Sequence, residues 1–345
     1  MTTDIALLLL QDGVVNGAIY ALLALALVLV FSVTRVIFIP QGEFVAFGGL
    51  TLAALEAGRV PGTLWLLCAA GAAVAVVEAV RLLRRGEPRR VPRVVAASLG
   101  IPAALALALH VLPLAALPEP VRVLLALALV VPLGPAIYRL VYEPLAGASV
   151  LVLLIVSVAV HVALVSVGLL FFGAEGARTA AFSDARFALG PVLVSAQSIC
   201  VLVFSAALIA ALALLSGRTL WGKALRASAM NRTGARLVGI PTRLTGRASF
   251  ALAALVGAFS GVLVAPVTTL YYDTGFIIGL KGFVGAIVGA LASYPLAAAG
   301  ALLVGVVEAI ASFEASAYRE MIVFTLILPV LLWRSLRTRH VEEDE

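Results

Sequence analysis

The stretch VLVLLIVSVAVHVALVSVGLLFF (150–172) runs for 23 residues without one Asp, Glu, Lys or Arg. A helix of about 20 apolar residues crosses the hydrocarbon of a bilayer. Inside it every backbone N–H and C=O must find its partner within the chain. The stretch therefore predicts a spanning helix, and IYALLALALVLVF (19–31) predicts another. The whole chain fits them: of 345 residues 63% are hydrophobic and only 12% charged, with a mean hydropathy of +1.15. So few charges do not cover the surface of a soluble domain. The fold class expected is an all-α polytopic membrane protein, one transmembrane domain over 1–345. Cys68 and Cys200 lie in apolar runs with no metal-ligand spacing or disulfide pattern, and read as packing residues. MTTDIALLLLQDG at the start lacks a basic region and a clear small-residue cleavage site, so it is not read as a removable signal.

Basic residues set the expected topology. Six lie in RLLRRGEPRRVPR (81–93), seven between Arg218 and Arg247 with no acid among them, and three in WRSLRTR (333–339), which is 16 of 24. At about 2.5–3.5 kcal/mol per basic side chain at a helix centre, burying the seven-charge loop costs on the order of 20 kcal/mol, so the clusters lie outside the hydrocarbon. The positive-inside rule makes 81–93, 216–247 and the tail 334–345 cytoplasmic. Apolar segments fall at about 13–34, 36–56, 62–80, 94–113, 121–137, 150–172, 193–215, 248–267, 276–293, 296–313 and 319–333, a count of nine to eleven spans. Strict alternation satisfies all three anchors, with the N-terminus outside and the mixed-charge connection 173–190 outside as well. Segments 276–293 and 319–333 are short or glycine-rich and are candidates for re-entrant structure.

Small residues four apart allow close helix packing: Gly13/Gly17, Gly257/Gly261 and Gly285/Gly289. In IFIPQGEF (37–44), Pro40 and Gly42 should break the helix and leave a half-helix starting near Glu43. GLKGFVGAIVGAL (279–291) reads as a second interrupted stretch with a charge. A short echo links the halves: Gly17-Ala18 with Gly257-Ala258, and Gly42 before Phe44-Val45 with Gly282-Phe283-Val284. The echoed segments would cross in opposite directions, the pattern of an inverted repeat whose broken helices flank a substrate path. Phe38, Pro40, Gln41, Gly42, Glu43, Lys281 and Gly282 are the candidates for that path.

The basic loop opens with GRTLWGKA (217–224), which satisfies G-x-x-x-x-G-K but has Ala224 where a phosphate loop needs a Ser or Thr for magnesium, and bulky Leu220 and Trp221 where backbone amides must close on phosphate. No nucleotide site and no other cofactor or metal site is expected. Locally the loop has order: GKALRASAM (222–230) favours helix, Asn231 is a cap for a second helix, and Gly239 followed by Pro241 ends it. It reads as a folded element, with a basic helix resting on anionic lipid as the other reading.

G-x-A-x-R-A, then Asn, then A-x-x-x-G-I resembles the cytoplasmic coupling segment of ABC-transporter permeases for branched-chain amino acids. It stands here as Gly222, Ala224, Leu225, Arg226, Ala227, Asn231, Ala235, Gly239 and Ile240. NGAIYALLALALVLVF (16–31), RVIFIPQGEFVAFGGL (35–50) and GFVGAIVGALASYPLAAAGALLVGVVEAI (282–310) also resemble that family, and 61–140 does so poorly. The resemblance implies an inner-membrane subunit that pairs with a second permease subunit. It also implies that solute arrives from an extracytoplasmic binding protein and that two cytoplasmic ATPase subunits drive transport; no nucleic acid is involved. The loop would then present a helix to the ATPase. Where the family shows an Asn and a His in the broken second helix, this chain has Phe38 and Gln41, which admits a solute other than leucine, isoleucine or valine. The alternative class is a secondary transporter driven by an ion gradient through Glu43, Lys281, His161 or Glu308.

Intramembrane ionisable groups each carry two readings. Glu43 recognises a solute ammonium or interacts with the positive end of the half-helix. Lys281 meets a carboxylate or reaches the interface. Glu308 pairs with a charge on a neighbouring helix or gates the path, His161 is a hydrogen-bonded core residue, and Glu78 pairs with Arg81. In a background lacking Cys68 and Cys200, Arg85→Cys, Arg232→Cys and Arg337→Cys should resist an impermeant thiol reagent in intact cells while Asp184→Cys reacts. Labelling at 232 from outside would invert the orientation.

Overall fold

The computed structural model describes residues 3–183, 185–189 and 192–337; Asp184 and residues 338–345 of the tail lie outside these. Among the described residues, eight helical stretches are long and apolar enough to cross a membrane. They are α1 (Thr3–Thr34), α3 (Thr63–Arg84), α4 (Val91–Val111), the pair α5 (Glu119–Val130) and α6 (Leu133–Ile137), α7 (Val150–Phe172), α8 (Ala196–Arg218), α11 (Thr242–Val264) and α13 (Tyr294–Glu314). Three other expected segments form shorter helices: α2 (Glu43–Glu56), α12 (Thr274–Val288) and the pair α14 (Arg319–Thr325) and α15 (Ile327–Arg337). Between α8 and α11 lie α9 (Leu220–Met230) and α10 (Arg232–Leu237).

Local chemistry explains the boundaries. Ser149 Oγ accepts the Val152 N–H at the start of α7, and Gly173, at φ 78°, ends it. Pro40 opens a single 3-10 turn, Ile39–Gly42, and α2 starts at Glu43, where the broken second segment was expected to resume. The ninth segment differs from its reading. α12 runs unbroken through Gly279, Lys281 and Gly282 and stops at Gly289; Ala290 and Leu291, both at positive φ, then reverse the chain. Its glycines face neighbours instead of breaking the helix, so packing offsets their cost of about 1 kcal/mol each. The connection after α7 also carries an unforeseen antiparallel hairpin, β1 (Arg186–Leu189) with β2 (Val192–Ser195).

The connections sort into two ends, as alternation requires. At one end Ala177 and Leu270 exchange backbone hydrogen bonds, the Ala180 N–H donates to Glu56 Oε2 at 3.2 Å, and Gln197 Oε1 accepts the Phe182 N–H. At the other, basic end, Arg139 donates to Glu78 at 3.1 Å and Arg232 to the Ala146 carbonyl at 3.2 Å.

The core is built on backbone-to-backbone approach. A Cβ at Gly13 or Gly17 would strike Val306 or Leu302 of α13, and Gly305 faces Gly13 and Gly17 in return. Gly257 lies on Gln41 and Phe44, and Gly261 on the Val45 carbonyl, locking α11 to α2. Gly285 meets Ala301 and joins α12 to α13. The most apolar windows of α1 and α11 are 72% and 67% buried within the chain, against 11% for those of α4 and α8, which form the periphery. Gly305→Ala should therefore destabilise by about 1–3 kcal/mol, the cost of overpacking. Gly100→Ala on α4, where nothing lies within 4 Å of the added carbon, should be neutral or slightly stabilising. Thermal unfolding of the two variants in detergent separates them.

Candidate functional site

The broken segment is deeply enclosed. Pro40 and Gly42 are buried, Gln41 is 1% exposed, and Phe38 and Glu43 are 0% exposed. Gly42 packs directly on Gly275 and Gly279 of α12, so the two stretches singled out in the sequence do meet, through glycine faces in closed contact. Below Gly42, towards the basic end, Phe38 packs among aromatic rings: Phe250 at 4.7 Å, Tyr142 edge-on at 5.9 Å and Phe44 at 5.9 Å between centroids. Tyr142 belongs to a π-helical turn, Tyr138–Tyr142, that continues α6.

Two pairs of ionisable side chains flank this ring cluster. Glu43 Oε1 lies 2.8 Å from Nδ1 of His161 on α7, and the imidazole stacks on Phe276 of α12 at 4.4 Å. Lys281 donates to Glu308 Oε1 at 2.5 Å, while the Tyr20 hydroxyl donates to Glu308 Oε2 at 2.6 Å and Arg319 Nε lies 3.8 Å away. One carboxylate thereby ties α1, α12, α13 and the start of α14 together. Lys281 meets a carboxylate, Glu308 a charge on a neighbouring helix, and His161 a hydrogen-bond partner. Gly282 packs on Leu23 and Tyr20 of α1. Two buried acceptors remain unpartnered in the broken segment, Gln41 Oε1 and Glu43 Oε2; the Gln41 amide nitrogen donates to the Ala253 carbonyl at 2.9 Å.

At the basic end the loop folds as its residues suggested. Thr219 Oγ1 accepts the Gly222 N–H at 3.0 Å and starts α9, and Asn231 Oδ1 accepts the Gly234 N–H at 2.8 Å and starts α10. Gly239 at φ 85° ends it, two residues before Pro241. Gly222 lies against the backbone of Leu215 and Ser216, so 217–223 is a tight corner between two helices. Leu225, Ser228 and Ala235 point inward; Ala224, Ala227 and Ile240 are half-buried, and Arg226, Asn231 and Gly239 are exposed. Ala224, Trp221, Val238, Ile240 and Leu244 line a groove, and the surface around it exposes Leu220 at 82%, Met230 at 87% and Leu237 at 84%.

Of the hub beside this surface, sequence reasoning anticipated the pairing of Glu78 with Arg81, 3.7 Å apart, and missed the rest. Glu143, 4% exposed in its side chain, accepts from Arg247 at 2.8 Å and lies 3.7 Å from Arg243, and Glu78 joins Arg81, Arg139 and Arg247. The signal available was a lone acid, Glu143, in a stretch flanked by arginine-rich loops.

A profile of the family described as "Branched-chain amino acid transport system / permease component" matches residues 95–331, from within α4 to within α15. Relatives include the high-affinity branched-chain amino acid transport system permease protein BraD of Pseudomonas aeruginosa, 28% identical over 208 residues, covering 58% of this chain and 68% of that protein. LivH of Escherichia coli K12, with the same description, is 24% identical over 337 residues, covering 93% and 91%. LivH of Salmonella typhimurium is 34% identical over 117 residues, covering 32% and 37%. No solved structure matches. With more than two thirds of its length matched by the profile, its half-helix after Pro40 and its capped basic corner, the chain belongs to the branched-chain amino acid transport system permease family.

Proposed function

We propose that the chain is the membrane-spanning permease subunit of an ATP-driven importer for branched-chain amino acids or related small solutes. The observation that carries this reading is the folded corner α9–α10, which presents an exposed apolar surface at the basic end of a chain in this family. Its partners are two cytoplasmic ATPase subunits docking on that corner, a second permease subunit, and an extracytoplasmic binding protein at the opposite end. The basic end is cytoplasmic, the N-terminus outside and the C-terminus inside. The loop 217–223 does not read as a nucleotide site: it follows a spanning helix instead of a strand, and the backbone of Leu215 and Ser216 fills the space beside Gly222.

Solute passes where α2 and α12 meet, beside Phe38, Pro40, Gln41, Gly42, Glu43, Lys281 and Gly282. Gln41 Oε1 and Glu43 Oε2, buried acceptors without a donor, supply the chemistry that an amino acid's ammonium group requires. The ring plug of Phe38, Phe250 and Tyr142 makes this a closed state. The ion-driven alternative is less economical, since the four residues it would use pair with one another, Glu43 with His161 and Lys281 with Glu308.

Two experiments test these assignments in proteoliposomes holding the candidate permeases, ATPases and binding protein. Ala224→Glu puts an unpaired acid into the apolar groove, which typically costs an interface several kcal/mol. It should leave the chain inserted but abolish ATPase copurification or solute-stimulated hydrolysis, whereas Lys223→Ala should be mild. Normal transport by Ala224→Glu with loss of hydrolysis in Lys223→Ala would reopen the nucleotide reading. In the second, Lys281→Met leaves buried Glu308 with Tyr20 and, at 3.8 Å, Arg319, and should cost about 3–5 kcal/mol of stability, most of it restored by Lys281→Met with Glu308→Met. Transport surviving in the double variant marks the pair as structural; a folded double variant that no longer moves solute assigns it to coupling.

A further inference from the structure

At the basic end a cavity of about 380 Å³ lies between α8, α1 and α13, with residues of α9 also lining it. Leu25 and Leu29 of α1, Ile209 and Leu212 of α8 and Ala298 of α13 make its walls apolar. One charged residue lines it, Arg226. Arg226 spends one N–H on the Gly217 carbonyl at 3.3 Å and makes no ion pair among the described residues. Its other guanidinium donors have no partner among the described residues, at the level where α8 ends and α9 begins. The segment around it holds seven basic residues and no acid, so nothing within the loop neutralises them.

A wedge of this kind in a bilayer fills with whatever the bilayer supplies. An acyl chain entering it exchanges one hydrocarbon surface for another and gains little selectivity. Selection must come from the head, and an open guanidinium matches a phosphate with two parallel N–H···O contacts. We propose that this cavity binds an anionic phospholipid, one acyl chain along Leu25, Leu29 and Leu212 and the phosphate on Arg226. Arg226 lies on α9, so the lipid joins the corner helix to α13 through Tyr294 and Pro295, which form the lip. The inference requires only that the chain lies in a bilayer, and it holds whichever end faces the cytoplasm. Its failure and that of the transport reading are therefore separable.

The test uses the full-length chain in nanodiscs, and in cell membranes where its partner subunits are present, with photoreactive phosphatidylglycerol and phosphatidylcholine bearing the same acyl group. Adducts mapped by peptide mass spectrometry should fall on residues 209–215 and 294–298, and phosphatidylglycerol should be favoured. Arg226→Gln should lower the phosphatidylglycerol yield about fivefold, the factor one basic side chain contributes at an anionic surface, and leave phosphatidylcholine unchanged. Arg226→Lys should keep most of the preference. Ala213→Trp, which fills the wedge from the exposed side of α8, should remove both adducts, and it serves if Arg226→Gln does not fold. Equal yields for the two lipids, yields indifferent to Arg226→Gln and Ala213→Trp, or adducts only elsewhere would overturn the proposal. So would adducts present in nanodiscs and lost in cell membranes, because a partner subunit would then occupy the wedge.

Discussion

Inside a bilayer the hydrophobic effect does not draw one helix to another, because lipid tails are as apolar as leucine. The core of this permease therefore rests on contact distance. Gly13 and Gly17 let α1 lie on α13, with Gly305 returning the contact, and Gly257 and Gly261 let α11 lie on α2. Where Cβ atoms are missing, backbones come close enough for dispersion to add up over a long face. α4 and α8 stay outside, mostly covered by surroundings the chain does not supply.

That close frame makes buried charge tolerable. Glu308 accepts from Lys281 and Tyr20 because α1, α12 and α13 are held within reach of one carboxylate. Glu43 reaches His161 only because Pro40 and Gly42 end one backbone direction and start another, which places the first turn of α2 opposite α7. The break leaves the Glu43 carboxyl partnered on one oxygen and open on the other. Glu308 is partnered on both oxygens and Glu43 on one, so the two buried carboxyl groups are not equivalent elements of the core.

Local features were legible in the sequence. The 23 apolar residues of α7, the half-helix at Glu43, the Asn231 cap and the Gly239 stop each depend on a few adjacent residues, and the structure places each where the residues indicated. Pairings were legible only in kind. Glu308 was read as partnered, but Tyr20 lies 288 positions away and Glu43 lies 118 from His161, and nothing near either residue names the other. The continuity of α12 was hidden for a related reason: glycine and lysine read as interruptions until α1 and the broken segment come to rest against them. The hub of Glu143 escaped because its three elements converge only in the fold. The substrate-path and coupling roles of particular residues belong to function, which geometry constrains without assigning.

The corner at α9 has a mechanical meaning. It is welded to α8 by Gly222 on the backbone of Leu215 and Ser216 and by the Thr219 hydroxyl donating to the Leu215 carbonyl at 2.6 Å. It is bolted to α11 through the hydroxyls of Thr245 and Ser228, 3.1 Å apart, and α10 is tied to the end of the α5–α6 span region through Arg232 and Ala146. A hinge would carry none of these. A displacement applied to the corner therefore reaches the spanning helices as torque on a stiff lever, with little lost to slack. The backbone of α11 carries it directly to Gly257, the point of contact with Gln41.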